Sequence, residues 1–165
     1  MIYIVEDDAS IRELEQYALQ TNDYEVQGFA DGKTFWAAVH SRLPELVILD
    51  VMLPDEDGYS ILSRMRQDAA TRSVPVIMVT AKSSEIDVVR GLDHGADDYI
   101  TKPFGVLEFI SRVKAVLRRA AADAPAAAGV LRFGGIVMND LSRTVTADGS
   151  PVELTFKEYS LLHYF

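Results

Sequence analysis

The sequence predicts an α/β fold: a doubly wound, five-stranded parallel sheet with helices on both faces. Three observations predict it. Short apolar runs alternate five times with helix-period stretches across the first 119 residues. The run Leu46-Val47-Ile48-Leu49 is apolar at every position, which suits a strand covered on both faces. Pro and Gly punctuate the connections, at Gly32, Pro44, Pro54, Gly58, Gly95 and Pro103.

The elements follow in order. Residues 2–5 form a first buried strand, and Asp8 can cap a helix that shows Ile11, Leu14 and Ala18 on one face. Tyr24 to Phe29 reads as a second strand nearer the sheet edge. Asp31-Gly32 turns the chain into a helix with Phe35, Ala38 and Val39 inward and Trp36 half-buried. The third strand runs into Asp50, and a loop with Pro54 and Gly58 leads to a helix over Tyr59–Arg66 with Ile61, Leu62 and Met65 inward. Pro75 to Thr80 is the fourth strand, followed by a helix from Ser84 to Asp93. Asp98 to Lys102 is the fifth. A last helix, Val106 to Arg119, carries the stripe Leu107, Ile110, Val113 and Leu117.

The next ten residues, Ala120 to Gly129, are low in complexity and read as a linker, with helical continuation as the alternative because alanine favours helix. Past Gly129 come short strand-like runs, 131–133, 136–138 and 144–146, then a hairpin signal at Asp148-Gly149 before Val152-Glu153-Leu154. Thr155 to Glu158 is a capping box that opens a helix with Tyr159, Leu162 and Phe165. Strands without a covering helix cannot bury a core alone, so this second domain is expected to be incomplete.

Bulk properties exclude several classes. The chain of 165 residues is 48% hydrophobic and 25% charged, an ordinary globular balance. It lacks cysteine, which excludes disulfides and thiolate metal sites. No apolar run is long enough to span a bilayer, and Met1–Val5 meets acids at Glu6–Asp8, unlike a signal peptide; a cytoplasmic protein without a membrane partner is expected. The net charge of -9 argues against strong nonspecific DNA binding.

The chemistry gathers at strand ends. The first strand ends at Glu6-Asp7-Asp8, the third at Asp50, the fourth at Thr80, and the fifth supplies Lys102. A parallel sheet places all these ends on one edge, where open α/β sheets bind ligands. Carboxylates gathered there raise each other's pKa, and a hard divalent cation with an ammonium resolves the conflict. Such a set could make Asp50 a nucleophile toward a phosphoryl group. Asp8 reads first as a helix cap, and Asp55, Glu56 and Asp57 as loop solvation and capping. His40, His94 and His163 stand alone as surface or packing residues.

The runs VEDD at 5–8, LDVMLPDEDG at 49–58, VTA at 79–81 and GADDYITKPF at 95–104 resemble the receiver domain of bacterial two-component response regulators. The last run looks like the OmpR/PhoB-type subfamily, and LTFKEYSLL at 154–162 is similar to the first helix of its winged-helix DNA-binding domain. The resemblance implies a flavodoxin-like receiver over residues 1–119, a linker over 120–129 and an incomplete winged-helix domain over 130–165. It implies that Asp50 is the phosphoacceptor, fed by a sensor histidine kinase. Asp7, Asp50 and the Met52 backbone carbonyl would ligate Mg²⁺ (or Mn²⁺), with Glu6 acting through water. Thr80 and Lys102 would hold phosphoryl oxygens, and Thr80 with Tyr99 would form the switch, the ring turning inward. The Lys102–Pro103 bond is expected to be cis.

Phosphorylation would promote a homodimer through the fourth helix, fifth strand and fifth helix. Asp98 would pair with Arg112, and Asp93 with Lys114, across subunits. The position where the family often has a base is Val88, which leaves Glu108 without its expected partner. Promoter DNA would be read by the complete C-terminal domain. From residue 120 onward Asp123, Asp140, Asp148, Glu153 and Glu158 face only Arg132, Arg143 and Lys157, so this part is not expected to read DNA by itself. Two other functional classes each lack a residue they need. A Mg²⁺-dependent aspartyl-phosphate phosphatase needs a second acid two residues after its nucleophile, where Met52 stands. A flavodoxin-like cofactor binder needs a phosphate-cradling loop after the first strand, where the chain has acids.

Overall fold

A computed structural model describes residues 1–82, 84–123, 130–133, 136–139, 144–147 and 149–152. They divide into two compact units, Met1–Ala120 and Ala121–Phe165. The first alternates strand and helix: β1 (Ile2–Val5), α1 (Ala9–Gln20), β2 (Val26–Phe29), α2 (Gly32–Ser41), β3 (Leu46–Leu49), α3 (Gly58–Gln67), β4 (Val76–Thr80), α4 (Glu85–Asp93), β5 (Asp98–Thr101) and α5 (Val106–Asp123). The strand order is β2-β1-β3-β4-β5, all parallel. This is the flavodoxin-like, doubly wound architecture.

Period-2 alternation assigns each strand residue to a face. Tyr3, Val5, Val47, Leu49, Val76 and Met78 pack with Phe35, Ile61, Leu62 and Met65, which places α2 and α3 on that side. Ile2, Ile4, Leu46, Ile48, Ile77 and Val79 pack with Ala18, Leu19, Phe109 and Val113, which places α1 and α5 on the other. Residues of β1, β3 and β4 are therefore buried whichever way they point, and their runs are apolar throughout.

The register brings the carboxyl ends level. Val5 pairs with Leu49 and Thr80 with Thr101. The ladder continues one residue further: the Glu6 amide donates to the Phe29 carbonyl (3.0 Å), Asp50 to Val5 (3.0 Å) and Lys102 to Thr80 (2.9 Å). After Asp50 the chain folds back so tightly that a Cβ on Gly58 would lie 2.1 Å from the Asp50 carbonyl oxygen, so only glycine fits there. The Lys102–Pro103 bond is cis.

Several expectations need correction. Leu14 is 45% exposed; the buried face of α1 is Glu15, Ala18 and Leu19. Leu107 is 84% exposed, because Phe104 stacks on Phe109 (5.2 Å) and turns the apolar stripe of α5 to Phe109, Ile110, Val113 and Val116. That helix continues to Asp123, so the first residues of the expected linker are helical. Tyr24 and Glu25 precede β2. Trp36 is buried, its indole N–H donating to Glu56 (3.2 Å).

The second unit shows an antiparallel meander, β6 (Val130–Phe133), β7 (Ile136–Asn139), β8 (Thr144–Ala147) and β9 (Ser150–Val152). Ala147 pairs with Ser150, and Gly149 in the connecting turn has φ +81°, the left-handed value that a tight hairpin asks of glycine. Residues 124–129 of the expected linker, Asp148 of the hairpin signal, and the capping box with its helix lie outside the described residues.

Glu15 is the anomaly of the core. It is 1% exposed, and neither carboxyl oxygen has a hydrogen-bond partner among the described residues. Burial foremost, then the charge of Glu6, pushes its pKa from 4.5 up to about 8, and Lys102 offsets this only in part. The folded state therefore holds a proton that the unfolded chain releases near its ordinary value. Glu15 is neutral and tolerated below about pH 4.5. Stability falls as pH rises toward about 8, by an amount on the order of a few kcal/mol. We predict that Glu15→Leu is more stable than the native chain at pH 8 and flattens this slope, measured by urea denaturation from pH 5 to pH 9. Parallel pH profiles for the two proteins would show that Glu15 does not titrate in this window.

Candidate functional site

The carboxyl edge of the sheet brings Glu6, Asp7, Asp50, Thr80 and Lys102 together. β1 delivers Glu6, β3 Asp50, β4 Thr80 and β5 Lys102, each at or one residue past its strand end. Asp50 is 5% exposed, Glu6 2% and Thr80 0%, whereas Asp7 is exposed. The Lys102 ammonium donates to Oδ2 of Asp50 (2.7 Å) and to Oε2 of Glu6. The other Asp50 oxygen, Oδ1, accepts the Met52 amide (3.1 Å), and Oε1 of Glu6 accepts the Asp8 amide (3.0 Å).

The electrostatics follow from burial. Desolvation raises the Glu6 pKa, and the neighbouring Asp50 charge adds to it, against the lowering effect of the Lys102 bond. Burial acts the opposite way on Lys102, disfavouring its charge, but the bonds to Asp50 and Glu6 outweigh it and its pKa is raised. The ammonium is thus fixed as a cation between two carboxylates. Glu6, Asp7 and Asp50 each offer an oxygen, and these three lie within 4.8 Å of one another. A set of hard oxygen donors on one open edge fits a Mg²⁺- or Mn²⁺-type ion that keeps some of its waters.

Beside this centre, the Thr80 hydroxyl oxygen accepts the Lys82 amide at 3.4 Å, and the Tyr99 hydroxyl donates to the Lys82 carbonyl (2.9 Å). Tyr99 is 6% exposed and already lies inward, against Gly91, where a Cβ would come within 2.7 Å of the ring. Burial above all raises the pKa of its phenol, so the hydroxyl stays a neutral donor.

The loop after β3 is tied down by its acids. Asp57 caps α3 through the Tyr59 amide (2.7 Å). Asp55 reaches across to a different helix and accepts the Gly32 and Lys33 amides at the start of α2, both at 3.0 Å. The sequence marks Asp55 as a capping acid but does not reveal which helix it caps. Asp8 caps α1 through the Ser10 and Ile11 amides.

On the α4–β5–α5 face, Arg112 already has partners within the single chain. Arg112 bonds Asp98 of its own chain (3.1 and 3.2 Å), and it also bonds Glu108 (3.0 Å). Glu108 therefore has a partner one turn away on α5. Asp93 and Lys114 make no ion pair among the described residues. Val88 is partly buried against the core, while Ile86, Val89 and Leu92 of α4 are exposed.

Comparison with known proteins agrees with this geometry. Residues 2–114 match the response regulator receiver domain family. The chain is 41% identical to the phosphate regulon transcriptional regulatory protein PhoB of Pseudomonas aeruginosa, over 99% of this chain and 71% of that protein. It is 42% identical to the sensory transduction protein RegX3 of Mycolicibacterium smegmatis, with the same coverage. Among solved structures, response regulator DrrB of Thermotoga maritima, an OmpR/PhoB homologue, superposes with a TM-score of 0.65 at 32% identity, covering 99% of this chain and 70% of that one. A response regulator from Chloroflexus aurantiacus gives 0.69 at 36% identity, over 72% of this chain and 97% of that one. The chain belongs to the response regulator receiver family, and it is a two-component response regulator of the OmpR/PhoB type.

Proposed function

We propose that Asp50 accepts a phosphoryl group from a sensor histidine kinase and that the acyl phosphate switches dimerisation and promoter binding. The observation that carries this is the placement of Asp50: a nearly buried carboxylate with one oxygen on Lys102 and two further carboxylates within 4.8 Å. If all are ionised, three carboxylates and one ammonium leave a charge of -2, which a divalent cation would neutralise.

An Asp50 oxygen attacks the phosphorus, the bond from phosphorus to the kinase imidazole nitrogen breaks, and that nitrogen takes the electron pair and then a proton from water. The Mg²⁺ ion would sit on Asp7, Asp50 and the Met52 carbonyl, with Glu6 acting through water, and would supply charge neutralisation for the transferring group. Lys102 holds the nucleophile in place before transfer and is positioned to hold a phosphoryl oxygen after it. Thr80 offers its hydroxyl to another, and its movement away from the Lys82 amide would transmit the change to Tyr99. A phosphatase reading lacks support because Met52, 61% exposed, stands where that chemistry needs an acid.

The dimer reading places two copies against each other through α4, β5 and α5, with Asp93, Asp98, Glu108, Arg112 and Lys114 on the face. The exposed Ile86, Val89 and Leu92 supply apolar area there. Residues 1–119 would be the receiver, 120–129 a linker, and 130–165 part of a winged-helix domain whose complete form reads DNA.

Two outcomes are expected. Incubated with acetyl phosphate and Mg²⁺, the native chain gains one acid-labile phosphoryl group by intact mass, and Asp50→Asn gains none; labelling of Asp50→Asn to the native extent sinks the assignment. Light scattering with beryllofluoride is expected to show a doubled mass for the native chain and a monomer for Arg112→Glu, which melts at a comparable temperature. A doubled mass in the folded variant removes this face from the dimer.

A further inference from the structure

A second cluster of charge lies between α3 and α4. A cleft of about 480 Å³ opens there, lined by Arg64 of α3, Arg90 of α4 and Lys82 of the loop between β4 and α4. The cations are concentrated around aromatic faces. Arg90 and Lys82 both stand over the ring of Tyr59, at 5.6 and 6.0 Å, and Arg64 lies over Trp36 at 4.2 Å. None of the three forms an ion pair among the described residues.

In a chain with 25 acidic against 16 basic residues, three cations line this one cleft. One acid, Asp57, shares the lining. Asp57, which lines the cleft, accepts the Tyr59 amide, and Asp87 accepts the Ser84 hydroxyl (2.6 Å). Three cations against the one carboxylate of Asp57 leave the cleft lining with a net positive charge, which a concave surface focuses.

The remaining lining specifies the ligand. Ser60 and Ser63 present hydroxyls on successive turns of α3, and the wall is polar rather than apolar. Guanidinium groups match phosphate oxygens with paired N–H donors, and an ammonium adds a point charge. The volume is that of a small-molecule site. We infer that the α3–α4 cleft binds a small polyanion carrying a chain of phosphates, held by Arg64, Lys82 and Arg90. Such a chain could come from a nucleotide or from inorganic polyphosphate.

Binding is measured by calorimetry on the full 165-residue chain in metal-free buffer, with sodium tripolyphosphate in one arm and ATP in the other. Without phosphodonor or divalent cation, the result is independent of the reading of Asp50. Saturable one-site binding of at least one probe is expected. ATP binding the tighter would point to a nucleotide, and tripolyphosphate the tighter to inorganic polyphosphate. Lys82→Glu with Arg90→Glu is expected to weaken it five-fold or more. Arg72→Glu with Arg118→Glu, an equal charge change at exposed sites outside the cleft, is expected to weaken it less than two-fold. If the first pair does not fold, Arg90→Ala replaces it and is expected to weaken binding at least three-fold. No binding by either probe, a smaller loss in the cleft variants, or a comparable loss in the control pair overturns the inference.

Discussion

One ammonium shared by two buried carboxylates is the interaction on which the rest of this site depends. Glu6 and Asp50 are almost fully withdrawn from water, and the charge of Lys102 stands between them. Removing one partner of such a set leaves an uncompensated buried charge, which costs far more than the set contributes. The sheet pays this electrostatic cost at its edge and keeps its centre apolar. The parallel register holds the three residues level, because the backbone of each continues the hydrogen-bonded ladder one step past its strand.

The same constraint explains the loop that follows. Asp50 must remain accessible at an edge that loops could easily cover. The Gly58 approach folds the chain back beneath the Asp50 peptide, and Asp55 and Glu56 fasten the outer part to α2. The Asp50 side chain keeps one oxygen on a backbone amide and the other on Lys102, which fixes its orientation. On the far side of β4 the Lys82 peptide links Thr80 to Tyr99, so a change at the acidic edge has a short path to the β5 surface.

The strands, and the gathering of Glu6, Asp7, Asp50, Thr80 and Lys102 at one edge, were legible in the sequence because both depend on local pattern. A strand buried on two faces must be apolar throughout, and its end is marked by the first charge, as at Leu49-Asp50. Helix faces were less legible. Leu14 and Leu107 fit a 3.6-residue stripe as well as the true core residues do, and no periodicity argument places an unpaired glutamate such as Glu15 inside. Contacts between elements were illegible for a different reason. Asp55 capping α2 and Asp98 meeting Arg112 within the chain depend on which loops and helices become neighbours, and many acid–base combinations satisfy the sequence equally well.

The central claim is that the acidic edge is a cation site completed by Asp7, the one exposed carboxylate of the three. Titration with Mg²⁺, followed by amide NMR shifts of Glu6, Asp50 and Met52 together with Trp36 fluorescence, tests it most directly. The account predicts weak, saturable binding centred on those amides and its loss in Asp7→Ala. Equal binding by the two proteins, or shifts centred elsewhere, would contradict it.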